Sequence, residues 1–218
     1  MTDKVENKTE EDLPEGAEVH HFEVGEDFTV KPPDGNHAFI SVWDNALEDE
    51  WCDKLIGMFE DQESLQQKTV HPEFRSFTEL NFFDPQLGSE FEEASMYLLG
   101  KVSEYVESYR RHNNIVFFPS QCHNEEVRMK KYVAGSEDDF KYHADVGDYA
   151  SARRFLVCFF YLNTVEEGGQ TAFPDYNTSI EAKKGRLAIF PPFWTHPHSG
   201  QPAISNDKYI VGTYLHYM

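Results

Sequence analysis

The run FLVCFFYLN (155–163) is apolar at odd and even positions alike, the pattern of a strand covered on both faces. Alternation along an extended chain sends Val157, Phe159 and Tyr161 to one side and Leu156, Cys158 and Phe160 to the other. One covering layer could not bury both sets. Around this run lie further short extended segments, EEVRMKKYV (125–133), GRLAIF (185–190) and KYIVGTYLHY (208–217), separated by Gly, Pro and Asp/Asn clusters. Upstream the period lengthens. HAFISVW (37–43) reads as a strand leading into a helix with Trp51, Leu55, Ile56 and Phe59 on one face. Phe91, Ala94, Leu98, Val102, Tyr105 and Tyr109 then recur at spacings of three and four until HNN (112–114), which marks a second helix. Two helices followed by many short strands predict a mainly β, α+β chain in which helices back a sandwich or small barrel.

A chain of 218 residues fits one domain, and its 18 Phe and 11 Tyr can fill the core. Of the net charge of -20, residues 1–27 contribute -8 through ten acids and two lysines. That segment is polar and unpatterned, so an acidic, flexible tail (1–27) and one ordered domain (28–218) are expected. The acidic balance disfavours nucleic-acid phosphates and favours a basic partner through long-range attraction. With no run of about 18 apolar residues and no basic-then-apolar leader, the expectation is a cytoplasmic protein that does not engage membranes. Cys52, Cys122 and Cys158 form no CxxC and are expected to be buried thiols.

Within KYHADVGD (141–148), His143 and Asp145 stand at i and i+2, where an extended backbone points both to one side. Chance alone supplies roughly 0.7 HxD pairs in a chain of this composition, so the pair needs a third ligand. FWTHPHSG (193–200) offers His196 and His198. Two histidines and one carboxylate with the remaining positions open is the facial arrangement of non-haem Fe(II) oxygenases. On KYIVGTYLHY, Lys208, Ile210, Gly212 and Tyr214 share one face, with Gly212 expected to leave room beside the lysine. A lysine pointing into a barrel is costly to bury unless an anion meets it; a solvated strand-edge lysine is the alternative.

Taken in order, YVAG (132–135), HAD (143–145), Arg154, YLN (161–163), GGQTAFP (168–174), GRLAIF and HSGQP (198–202) resemble the catalytic domain of prolyl 4-hydroxylases, among the 2-oxoglutarate and Fe(II)-dependent dioxygenases. Lys208 follows His198 by the family's ten residues, and FISVWDNALEDEWCDKLI (39–56) resembles its first strand and helix. The resemblance implies a double-stranded β-helix, a jelly-roll barrel. It also implies iron ligation by His143, Asp145 and His198, a salt bridge from Lys208 to the far carboxylate of 2-oxoglutarate, and hydroxyl contacts to that carboxylate from Tyr132 and Thr171. His198 is preferred over His196 by its spacing to Lys208, which leaves His196 as a supporting residue. Arg154 matches an arginine associated with peptide binding, and Tyr214 stands where the family usually has Trp. Val157 and Phe140 also depart from the family's usual Thr and Tyr.

The implied reaction couples oxidative decarboxylation of 2-oxoglutarate to hydroxylation of a peptidyl proline, with Fe(II), 2-oxoglutarate and O2 taking part and L-ascorbate sustaining the iron. The expected partner is a protein or peptide substrate, basic and proline-containing. Two rival readings are hydroxylation of another residue or a small metabolite, and a non-catalytic jelly-roll binding module.

Overall fold

The computed structural model describes residues 39–71 and 73–218. The acidic segment expected at 1–27 and the domain start expected at 28 lie outside the described residues.

Along the chain, β1 (Ser41–Trp43) leads into α1 (Asp49–Glu60), a hairpin of β2 (Gln67–His71) and β3 (Arg75–Asn81) follows, and then α2 (Ser89–His112). Next come β4 (Cys122–Asn124), β5 (Arg128–Tyr132), β6 (Asp139–His143) and β7 (Arg154–Tyr161). The chain continues through β8 (Thr171–Phe173), β9 (Thr178–Ile180), β10 (Leu187–Phe190), β11 (His198–Gly200) and β12 (Lys208–Tyr217). The strands join in one antiparallel sheet in the order β1-β10-β7-β12-β5-β3-β6-β11-β8-β9, with β2 on β3 and β4 on β12. This mostly β sheet, curled into a nearly closed barrel and backed by two helices, is a double-stranded β-helix.

Strand β7 explains the two-faced run. Leu156, Cys158 and Phe160 join the larger core cluster with Leu55 and Phe59 of α1 and Phe91, Leu98 and Val102 of α2. Val157 and Tyr161 join a second cluster inside the barrel with Phe173, Ile180 and Phe190. Helix α2 buries Phe91, Ala94, Leu98, Val102 and Tyr109 as the three-and-four spacing requires, with Tyr105 only partly covered. Glu90 and Glu92 lie in its first turn and Arg110, Arg111 and His112 in its last, opposite to the partial charges of the helix ends.

Three expectations need correction. Strands β2 and β3 lie between the two helices, so the chain does not run helices first and strands after; β3 pairs with both β5 and β6 in the middle of the sheet. Cys52 and Cys158 are buried, but Cys122 is exposed on the short β4. Gly212 serves strand packing rather than the lysine: a Cβ there would strike the Cys158 carbonyl and the backbone of Phe159 across the β7–β12 pairing. The glycines beside Lys208 are Gly169 and Gly200, where an added Cβ would stand 3.4 Å from its Cδ and 3.7 Å from its Nζ respectively. Among the described residues, no helix is long and apolar enough to cross a membrane.

Gly212→Ala is expected to destabilise the fold by about 1–3 kcal/mol through overpacking of backbone against backbone, read as a lower denaturation midpoint. Gly100→Ala, in α2 with nothing within 4 Å of an added Cβ, is expected instead to raise stability by roughly 0.5–1 kcal/mol.

Candidate active site

Antiparallel pairing of β6 with β11 sets His143 directly opposite His198. Their ring centroids are 4.5 Å apart. Asp145 lies two residues beyond the end of β6, in a bend, so its approach to the histidines comes from the turn of the chain rather than strand alternation. One ligand atom from each of the three lies within 4.8 Å of the others. All three side chains are less than 10% exposed, at 4%, 6% and 9% for His143, Asp145 and His198.

The hydrogen bonds around these side chains orient them. His143 Nδ1 lies 2.7 Å from the Lys141 carbonyl and His198 Nδ1 3.1 Å from the His196 carbonyl. A carbonyl can only accept, so each Nδ1 carries the proton and each Nε2 presents its lone pair. On Asp145, Oδ1 accepts from the Tyr214 hydroxyl at 2.7 Å. His143 Nε2 and Asp145 Oδ2 are buried and have no hydrogen-bond partner among the described residues. Orphaned buried acceptors cost free energy, and two of them facing a second imidazole is an arrangement that a cation relieves. Burial works against the charge on Asp145, but His143, His198 and the Tyr214 hydroxyl outweigh it and hold its pKa at about 2. Burial lowers the pKa of His198, so its imidazole is neutral. A carboxylate and two imidazoles are the donor set for a divalent first-row ion.

Aromatic rings wall the group. Phe140 stacks on His143 with centroids 3.5 Å apart, and Phe173 and Phe190 stand 5.6 and 4.8 Å from His198. His196 takes no place in the group: its buried ring stacks on Tyr176, while its backbone carbonyl orients His198. Arg154 pairs in bidentate fashion with Glu125 at 2.7 and 2.8 Å and lies 4.0 Å above the Tyr214 ring. It also donates to the Asp145 carbonyl at 3.3 Å, so Glu125, Arg154 and Tyr214 form one brace around Asp145. Nothing in the motifs marks Glu125 for this role, since it meets Arg154 from 29 positions away.

The group opens into a cavity of about 580 Å³, lined also by Tyr132, Thr171, Lys208, Tyr214 and part of the Gly147–Ser151 loop. Lys208 is 2% exposed. Its Nζ donates to the Gly169 carbonyl at 3.0 Å and lies 4.2 Å above the ring of Tyr132, its cross-strand neighbour. No carboxylate among the described residues pairs with it, and burial pushes its pKa down to about 7, opposed only by the field of Asp139. Thr171 is 2.6 Å from the Tyr161 hydroxyl, which makes Tyr161 part of the same polar end. Tyr161 opens the YLN motif, and its inward alternation with Val157 and Phe159 turns it toward this end of the cavity. One cavity thus holds a cation-ready face and a buried ammonium awaiting an anion.

Residues 127–216 match the family model described as the 2OG-Fe(II) oxygenase superfamily. No curated protein matches the chain by sequence. Among solved structures, the fold is similar to the viral collagen prolyl hydroxylase of Paramecium Bursaria Chlorella virus-1 in complex with 2OG, at 23% identity and TM-score 0.63 over 85% of this chain and 98% of that one. A Pseudomonas putida prolyl-4-hydroxylase is similar at 15% identity and TM-score 0.61, over 82% and 92% of the two chains. A Trichoplax adhaerens prolyl hydroxylase in complex with a hypoxia inducible factor peptide fragment is similar at 16% identity and TM-score 0.65, over 81% and 83%. The chain is thus similar in fold to prolyl hydroxylases, and its matched segment is similar to the 2OG-Fe(II) oxygenase superfamily.

Lys208 carries a stability cost in the ligand-free protein. Its folded pKa lies below its unfolded one, so the penalty is full below about pH 7 and shrinks as pH rises toward the unfolded value. Lys208→Met is expected to raise the melting temperature, with the widest gap from wild type below pH 7 and a narrower one above; a gap independent of pH would contradict a buried, unpaired ammonium.

Proposed function

We propose that this oxygenase hydroxylates a peptidyl proline, with His143, Asp145 and His198 holding Fe(II) and Lys208 binding the far carboxylate of 2-oxoglutarate. The observation that carries the reading is the pair of buried, unpartnered acceptors, His143 Nε2 and Asp145 Oδ2, in the same cavity as the unpaired Lys208 ammonium. When bound, Fe(II) supplies the O2 activation that splits 2-oxoglutarate into succinate and CO2 and places one oxygen atom on the substrate.

The protein's residues position and protect. The two Nε2 atoms and the Asp145 carboxylate form one face, with Oδ1 3.4 Å from His143 Nε2 and Oδ2 3.6 Å from His198 Nε2, and the Tyr214 hydroxyl orients the carboxylate by donating to Oδ1. Lys208 neutralises the cosubstrate's distal charge, and the Tyr132 and Thr171 hydroxyls give it direction. Phe140, Phe173 and Phe190 keep water from the rings of His143 and His198. Proline is favoured as the target by the likeness of the fold to three prolyl hydroxylases and by the family order of motifs from Tyr132 to Lys208. The net charge of -20 favours a basic protein as its bearer through long-range attraction. Ascorbate belongs to the same proposal as the reductant that sustains turnover.

Purified protein supplied with Fe(II), ascorbate and labelled 2-oxoglutarate is expected to release succinate slowly alone and faster with a proline-containing peptide, which gains one oxygen by mass spectrometry. His143→Ala and Asp145→Ala should each abolish turnover, and Lys208→Ala should mainly raise the 2-oxoglutarate requirement. Metal binding without succinate would favour a non-catalytic binding module. Tyr214→Phe frees Asp145 Oδ1 and is expected to weaken Mn(II) affinity by about tenfold, measured by titration, with the melting temperature of the metal-free protein little changed.

A further inference from the structure

The cations lining the cavity are not equally satisfied. Arg128 meets Glu79 at 2.8 Å and Glu126 at 3.0 Å, and Arg154 meets Glu125 at 2.7 Å. Lys208 is reserved, on the reading above, for the cosubstrate. Two others are left. Arg75 has no ion pair among the described residues, and its buried Nε donates to nothing. Lys130 reaches only Glu79, at 3.9 Å, and that carboxylate already accepts from Arg128.

These two cations are neighbours on adjacent strands. Arg75 lies on β3 and Lys130 on β5, and both line the cavity. The Arg75 guanidinium carbon stands 5.8 Å from the Phe77 ring and 5.7 Å from Phe140, and Lys130 Nζ stands 4.7 and 5.8 Å from the same two rings. Phe140 in turn stacks on His143, so a single ring separates Arg75 from a proposed metal ligand. The rings shield both cations from water yet supply no acceptor for their N–H groups. An unpaired guanidinium and an ammonium that shares a distant carboxylate with Arg128, both in a partly desolvated cavity, are stabilised by an arriving carboxylate more than by any neutral group.

We propose that Arg75 and Lys130 form an anion subsite for the primary substrate, so that the group hydroxylated is carried by a molecule bearing a carboxylate close to the reacting carbon. This rests on the oxygenase reading and extends it to substrate class. It is compatible with a basic protein as bearer, because long-range attraction acts on the whole protein while the subsite reads one neighbouring residue. The carboxylate could belong to an acidic residue near the proline or to a small acid, and the two sources are separable.

The test is calorimetric titration of protein loaded with Mn(II) and 2-oxoglutarate. In one arm the probes are acetylated, amidated heptapeptides with a central proline and a single Glu, Gln or Lys at each other position. In the second they are N-acetyl-L-proline and N-acetyl-L-prolinamide. The expected result is about tenfold tighter binding of Glu over Gln at one or more positions, or of the acid over the amide. That ratio should fall toward one in Arg75→Gln and in Lys130→Gln and be partly retained in Arg75→Lys. A ratio near one in both arms for the wild type, or a ratio undiminished in both Gln variants, overturns the subsite. Uptake of 2-oxoglutarate by the wild type is read in the loading titration: its absence counts against the oxygenase reading, whereas uptake with no carboxylate preference counts against the subsite alone.

Discussion

The cross-strand pair of His143 and His198 is the contact on which the site depends. Pairing of β6 with β11 brings two imidazoles within reach of one ion, and the bend after β6 adds the carboxylate of Asp145. The same strands connect the ligands to the other end of the cavity. Strand β11 pairs with β8, which carries Thr171, while β6 pairs with β3, and β3 with β5, which carries Tyr132. Strand β12 lies beyond β5 and carries Lys208 opposite Tyr132. A one-residue shift of register on any of these strands would turn functional side chains out of the cavity.

The site is assembled at the expense of local satisfaction. Among the described residues, His143 Nε2 and Asp145 Oδ2 lack partners, Lys208 is buried without a carboxylate, and the Arg75 Nε–H has no acceptor. Each is unfavourable by itself, and together they mark out a chamber suited to a cation and anions rather than to hydrocarbon. The surrounding structure compensates. Glu125, Arg154 and Tyr214 hold Asp145 from one side, and the apolar core between the barrel and the two helices supplies the stability that the cavity lacks.

Much of the fold was legible because its strongest patterns are local. The two-faced β7 and the three-and-four spacing of α2 follow from burial alone. Strand β3 was not legible for a physical reason: it lines the cavity, so its inward positions include Arg75 and Glu79 as well as Phe77, and the apolar alternation of a strand is lost. Its partner β2 is almost wholly exposed and shows no apolar face. At the site, the histidines, Asp145 and Lys208 stood out through motif order and spacing. The contacts of Glu125 with Arg154 and of Tyr161 with Thr171 did not, because each joins separate segments of the chain through hydrogen bonds that leave no periodic trace. The role given to Gly212 was misplaced because the spacing of β7 and β12 backbones is a property of the sheet, invisible in β12 alone.

The central claim is that the His143, Asp145 and His198 face and the Lys208 ammonium bind opposite ends of one molecule. Its most direct test is absorption spectroscopy of the Fe(II)-loaded protein under anaerobic conditions as 2-oxoglutarate is added. Chelation of the metal by the keto acid predicts a visible charge-transfer band that saturates with 2-oxoglutarate and requires far higher concentrations when Lys208 is replaced by Met. Fe(II) binding with no such band, or a band whose concentration dependence is unchanged by the replacement, would contradict the account.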